Sequence, residues 1–240
     1  MSIEAFFSEV KSVSSELHSK FVWYRGHSCK EHRLLPTAYR QTRELHELGM
    51  FYDYKSHVAG INGCNKENWD LILDMQHYGL PTRLLDWTTS MGTAIYFALR
   101  NNPTTPCVWV LNPFELSKLS TDEDTIFDSS IMTPANPTSK RDFDLFNLLS
   151  GASKYQLPFS IQPPHGNRRI AAQRGMFTVH SKLRGSIEEL APNVVRRIDI
   201  PLDLIVPLQG YLEALGIDDY SMFPDQYGLS EFLKKKYMVQ

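Results

Sequence analysis

Helical and extended hydrophobic patterns alternate along this chain, and the order in which they come limits the folds open to it. The first is helical: Ile3, Phe6, Phe7, Val10, Val13 and Leu17 form one face of an amphipathic helix starting near Ser2. Phe21-Val22-Trp23-Tyr24 follows, an aromatic and β-branched run that reads as a buried strand ending at Arg25-Gly26. Helical spacing returns over residues 41–58, from 66 or 67 to 76, and from 89 or 90 to 100, with Gly79 and Pro81 stopping the second of these. Strand-like apolar runs then dominate, at residues 107–111, 158–161, 176–180 and 195–200. Short helices are predicted over 142–149, over 208–215 with Gly216 as the cap, and over 229–237. The polar, turn-rich stretch 120–137 reads as a surface excursion. Helices first and strands mostly late predict an α+β fold, with a mixed or antiparallel sheet packed by helices and not a doubly wound parallel one. With no repeat or linker in view, residues 1–240 are expected to form a single domain, 1–19 its N-terminal helix and 21–229 its core.

Composition narrows the class further. At 240 residues, 42% hydrophobic and 22% charged, the chain can bury a core without staples and does not have the composition of a disordered protein. A net charge of -2 neither demands nor excludes nucleic acid, since a basic patch can sit on a neutral protein. Cys29, Cys64 and Cys107 are far apart, and His27 and His32 lack the cysteine pair of a zinc site, so no metal is expected. Reduced thiols, an N-terminus of mixed charge and the lack of any run near the ~18 apolar residues of a membrane helix predict a cytoplasmic protein with no membrane partner.

The densest chemistry lies in Gln76-His77-Tyr78-Gly79-Leu80-Pro81-Thr82-Arg83-Leu84-Leu85-Asp86-Trp87-Thr88. Its leucines and tryptophan are core residues, which puts the intervening polar groups at a core border, where each hydrogen bond counts. Arg83 and Asp86 are near enough in sequence to pair across a turn. A second segment, Arg168-Arg169-Ile170-Ala171-Ala172-Gln173-Arg174-Gly175-Met176-Phe177-Thr178, sets Gln173 and Gly175 before an apolar strand. Glycine there permits a bulge or the close approach of a ligand. Arg168, Arg169 and Arg174 form a positive patch, either a solvated loop face or a phosphate contact.

Tyr24-Arg25-Gly26, the 76–88 block and residues 173–178 resemble the signatures of the FRG-domain family, with Tyr24 in place of the phenylalanine of the name. Residues 223–229, Phe-Pro-Asp-Gln-Tyr-Gly-Leu, resemble its closing motif, so the resemblance runs from about 21 to 229. The order Tyr24-Arg25-Gly26, Thr88-Thr89-Ser90 with Ala94-Ile95-Tyr96-Phe97-Ala98, then Gln173 before a strand is also similar to that of ADP-ribosyltransferases. That second resemblance implies an ADP-ribosyltransferase-like fold. It also implies NAD as substrate, a macromolecular acceptor (protein or nucleic acid), and the setting of a toxin or phage-defence effector. It casts Arg25, His77, Asp86 and Gln173 as the catalytic set, and Arg25, Gly26, Gln76, Thr82, Arg83, Thr88 and Ser90 as the dinucleotide's contacts. Gln173 stands where those enzymes carry a glutamate. The positive charge that develops on the ribose needs a carboxylate, which Asp86 supplies if the fold brings it across. The alternatives are an NAD glycohydrolase and a non-catalytic nucleotide- or nucleic-acid-binding module. Nothing in the sequence fixes an oligomeric state.

Overall fold

Local capping chemistry sets most of the elements. In the computed structural model, which describes residues 1–19, 21–41, 45–62, 68–132, 143–164 and 166–238, Ser2 accepts a hydrogen bond from the Ala5 amide at 3.2 Å and opens helix α1 (Ile3–Glu16). Strand β1 (Trp23–His27) runs past Arg25-Gly26, where the sequence reading had stopped it. Helices α2 (Glu47–Asn62) and α3 (Asn68–His77) follow. The expected helix over 41–58 therefore begins and ends later, and the proposed starts at 66 and 67 lie outside the described residues. Strand β2 (Leu84–Thr88) lies inside the dense polar block, and Ser90 caps helix α4 (Met91–Leu99), accepting from the Thr93 amide at 3.3 Å.

Strand β3 (Cys107–Leu111) falls where the sequence put it. Asn112 then accepts from the Phe114 and Glu115 amides at 3.1 Å each and, with Pro113 in the first turn, starts helix α5 (Pro113–Thr121). This corrects the surface excursion over 120–137: it begins inside a helix, and it contains strand β4 (Phe127–Asp128), whose Phe127 is buried with nearby Met132. Residues 133–142, which include the rest of that stretch and the proposed helix start at Asp142, lie outside the described residues. Next come α6 (Leu145–Leu149), β5 (Phe159–Gln162), α7 (Arg168–Ala172) and β6 (Gly175–Val179). After them come α8 (Ile187–Leu190), β7 (Val195–Asp199), α9 (Ile205–Ala214), α10 (Asp219–Met222) and α11 (Gln226–Tyr237). Gly216 follows α9 at φ 70°, the left-handed conformation that a glycine after a helix supplies. Among the described residues, no helix is long and apolar enough to cross a membrane.

Among the described residues, seven strands form one sheet in the order β4-β5-β6-β2-β1-β3-β7. Every pair is antiparallel except β4 with β5, so the α+β reading holds with a mostly antiparallel sheet. Residues opposite one another share a face, which puts Tyr24, Thr88 and Gly175 together, and with them by alternation Gly26, Asp86 and Phe177. On that face α1, α4 and α9 pack over β3 and β7, burying Phe6, Ala94, Val108, Ile198 and Leu208. Beside them α2, α3 and α6 pack over β2, β5 and β6, burying Phe51, Leu73, Leu84, Phe159 and Val179. The opposite face is sealed by Trp23, Leu85, Trp87 and Trp109 against Leu116 of α5 and Ile187 of α8.

Candidate functional site

The sheet is not equally knit. β1 and β3 are in register at five positions, from Trp23 opposite Leu111 to His27 opposite Cys107, and β2 and β6 at five, from Leu84 opposite Val179 to Thr88 opposite Gly175. Between β1 and β2, in the middle of the sheet, one position is paired, Tyr24 with Thr88. Beyond it the strands part. The Arg25 side chain enters the gap, and its Nη1 donates to the backbone carbonyl of Asp86, which has no ladder partner on β1. A cleft of about 330 Å³ opens over the parting, between the two groups of helices.

Among the described residues, four charged side chains line this cleft: Arg25, Arg40 and Arg169 as cations and Asp86 as the anion. Arg25 Nη1 lies 3.7 Å from Asp86 Oδ2, the arginine 19% exposed and the aspartate 57%. Burial pulls the Arg25 guanidinium down to about 10, with Asp86 opposing the shift, so it stays charged at neutral pH. Arg40 and Arg169 are lowered by burial too, and Asp86 again works against it. Three guanidinium groups thus surround one carboxylate, an excess of cations suited to a ligand carrying two anionic groups.

Asp86 is oriented by a relay. Thr82 Oγ1 donates to Gln76 Oε1 at 2.5 Å, which turns the Gln76 amide so that its Nε2 donates to Asp86 Oδ2 at 2.9 Å. Thr82 is itself buried and reaches the cleft only through Gln76. On the other wall, Thr88 Oγ1 donates to the Gln173 carbonyl at 2.7 Å and accepts from the Ser90 amide at 3.0 Å. Thr88 and Ser90 therefore tie the end of β2 to the α7–β6 turn and to the start of α4. Gly26 forms the cleft floor, where α4 crosses β1 too closely for any side chain. Gln173 caps α7 and donates from Nε2 to the Met222 carbonyl at 3.0 Å. His77 lines a smaller adjoining pocket of about 50 Å³, which shares Gln76, Asp86, Arg169 and Gln173 with the main cleft.

Arg25, Asp86 and Gln173 thus meet at one cleft, and His77 stands next door. Arg83 does not line it. The sequence reading paired Arg83 with Asp86 across a turn, but the segment is extended, and residues three apart on extended chain point to opposite faces. Arg83 instead lies buried against Glu47 of α2, Nε to Oε1 at 3.1 Å and Nη2 to Oε2 at 2.5 Å. The basic patch is also redistributed. Arg168 and Arg174 are exposed, whereas Arg169 stacks its guanidinium 4.6 Å from the centre of the Phe223 ring. Gly175 marks no bulge; it pairs in register with Thr88. Among the described residues, no group of His, Cys, Asp and Glu is arranged to hold a metal ion.

Among the basic residues that line the cleft, His27, His32 and Arg40 were not singled out from the sequence as site residues, whereas Arg169 was read there as part of a positive patch with phosphate contact as one of its two readings. His27 had a signal, since on a strand it is the same-face neighbour of Arg25. It is 5% exposed, and burial together with the charges of Arg25 and Arg40 pushes its imidazole down to about 2. His180, fully buried after β6, is pushed down to about 3 by the same desolvation. Both bind fewer protons folded than unfolded, where histidine titrates near 6.5. Their contribution to stability is complete above about pH 6.5 and is lost as pH falls from there toward the folded values. Urea unfolding between pH 6.5 and 5 is expected to show stability declining with a slope that approaches two protons; a flat profile would mean that the two rings are not held neutral.

The fold and cleft define a class: an α+β protein whose antiparallel sheet parts in the middle beneath an arginine-walled pocket. Residues 20–106 match the family model of the FRG domain, so the chain carries an FRG domain over that stretch. The match takes in β1 through α4, with Arg25 and Asp86, while Arg169 and Gln173 come from beyond it. No curated protein and no solved structure matches the chain.

Proposed function

We propose that the cleft binds NAD and that this FRG-domain protein is an ADP-ribosyltransferase-like enzyme of the cytoplasm, a toxin or phage-defence effector that modifies a protein or nucleic acid. The observation that carries this reading is the single cleft in which Arg25, Arg40 and Arg169 surround Asp86. The arginines hold the two phosphates of the dinucleotide by charge-assisted hydrogen bonds. The reaction breaks the bond between ribose C1′ and the nicotinamide nitrogen, and the electron pair leaves with the ring. Positive charge builds on the ribose, and Asp86, held by Gln76, is the carboxylate available to stabilise it. The acceptor then bonds to C1′ and gives its proton to Asp86 or to water. With water as acceptor, the same steps make the protein an NAD glycohydrolase.

Nicotinamide release and an NAD-induced rise in melting temperature test the reading on purified protein. Arg25→Ala is expected to weaken NAD binding by about tenfold or more, the weight of one or two charge-assisted hydrogen bonds. Asp86→Asn should keep most of the binding and lower release by roughly 10²–10³, the range seen when one stabilising group is removed. Neither release nor a thermal shift with the wild-type protein would sink the reading. A thermal shift without release favours the second one, a nucleotide- or nucleic-acid-binding module without chemistry. That alternative draws on Gln173, which brings no negative charge, and on the exposed Arg168 and Arg174 beside it.

A further inference from the structure

Arg25 does not hold its own place in the gap between β1 and β2. Its Nε donates to Nε2 of His27 at 2.9 Å, and its Nη1 donates to the Asp86 carbonyl. On the far side of the imidazole, Nδ1 lies 3.0 Å from the carbonyl oxygen of His32. A carbonyl only accepts and an arginine only donates, so one arrangement satisfies both contacts: the neutral ring with its proton on Nδ1 and a bare Nε2. The three groups form a directed chain, His32 carbonyl, imidazole, guanidinium, that fixes the plane of the guanidinium where Arg25 lines the cleft.

We infer that His27 is the positioning residue of the site, aiming the Arg25 guanidinium at ligand phosphate from a single neutral tautomer. The ligand rests on the function proposed above; the tautomer does not. The groups facing His27 agree with this assignment. Arg25 and Arg40 bring positive charge to the ring and the His32 ring packs edge-on at 5.9 Å, so a protonated His27 would lose its acceptor and repel two cations. Burial at 5% exposure removes the water that would otherwise take over either contact. The residue acts through Arg25 and touches no reacting atom.

Two readouts test the inference. Imidazole ¹⁵N spectra of the wild-type protein are expected to show His27 protonated at Nδ1, bare at Nε2 and unchanged from pH 5 to 8. A proton on Nε2, or a titration in that range, would overturn the assignment whatever the ligand is. The second readout is affinity for NAD and, in parallel, for inorganic pyrophosphate. His27→Leu should weaken both by about tenfold. His27→Gln, whose amide oxygen can accept from Arg25 and whose amide nitrogen can donate to His32, should recover most of that loss. On an Arg25→Ala background, His27→Leu should change nothing further, because the two side chains act as one unit. Wild-type affinity in His27→Leu, or an undiminished loss on the Arg25→Ala background, would overturn the positioning role. If His27→Leu does not fold, the affinity of His27→Gln and the spectra still decide. Binding of pyrophosphate but not NAD would end the NAD reading and leave the role of His27 to be judged on pyrophosphate.

Discussion

Replacing Gly26 with alanine is expected to destabilise the protein by about 3 kcal/mol or more, enough to unfold a domain of ordinary stability under mild heating. A β-carbon at this position would overlap the carbonyl oxygen of Ala94 and come within 2.6 Å of the Ala98 amide nitrogen. Both are backbone atoms of α4, so no side-chain rotation relieves the clash and the whole helix has to lift from β1. Ala94, Ile95, Ala98 and Leu99 are buried on that helix, and Ser90 at its start holds the end of β2 through Thr88. The substitution should therefore lower the urea midpoint and, in whatever fraction stays folded, widen the cleft and weaken NAD. A midpoint within experimental error of wild type would show that α4 does not cross β1 this closely. Arg25-Gly26 thus joins two demands: the arginine serves the gap, and the glycine lets α4 lie against the strand.

Arg83→Ala should cost about 3–5 kcal/mol, because it leaves the Glu47 carboxylate buried without a counter-charge. The pair is two-pronged, at 3.1 and 2.5 Å, with the side chains 6% and 8% exposed. It fastens α2 to the segment leading into β2, the strand that bears Asp86. Removing both charges together, as in Glu47→Leu with Arg83→Met, is expected to recover most of the loss, since an apolar pair avoids the desolvation that the ion pair has to overcome. Denaturant midpoints of the two single variants and the double variant form the test. A loss below ~1 kcal/mol in Arg83→Ala would mean that water reaches the pair.

How much of this was readable from the sequence depended on how local each feature is. The strand over 107–111 was found to the residue, and those over 158–161, 176–180 and 195–200 within one residue, because continuous apolar runs between turn residues report buried strands directly. β2 was harder to see: Leu84 and Leu85 are adjacent and both buried, so its strand carries no simple alternation. α5 had a signal that went unused, for Asn112-Pro113, directly after the strand over 107–111, is a helix start. The helices α7, α8 and α10 span four or five residues, too few to show a period. In the site, Arg25, Asp86 and Gln173 were named from motif resemblance, and their meeting could not be read from the chain. That meeting depends on strand order and on the parting of β1 from β2, which are set by pairings between segments far apart in sequence. His27 was lost through one error of boundary, the strand having been ended at Gly26.

The parting of the sheet also dictates when the site can come into being. The chain crosses it again and again: β1 lies on one side, β2 on the other, β3 back beside β1, β4 to β6 across again, and β7 back. As the chain emerges from a ribosome, β1 stays without its full partner until residue 111 and β2 until residue 179. Arg25 is made early, yet Gln173 is not anchored until Met222 has followed. Such pairings form slowly, since long loops must close before any contact offsets their entropy. The cleft is thus among the last features to form, and a partly made chain presents the arginine without the pocket that gives it a use.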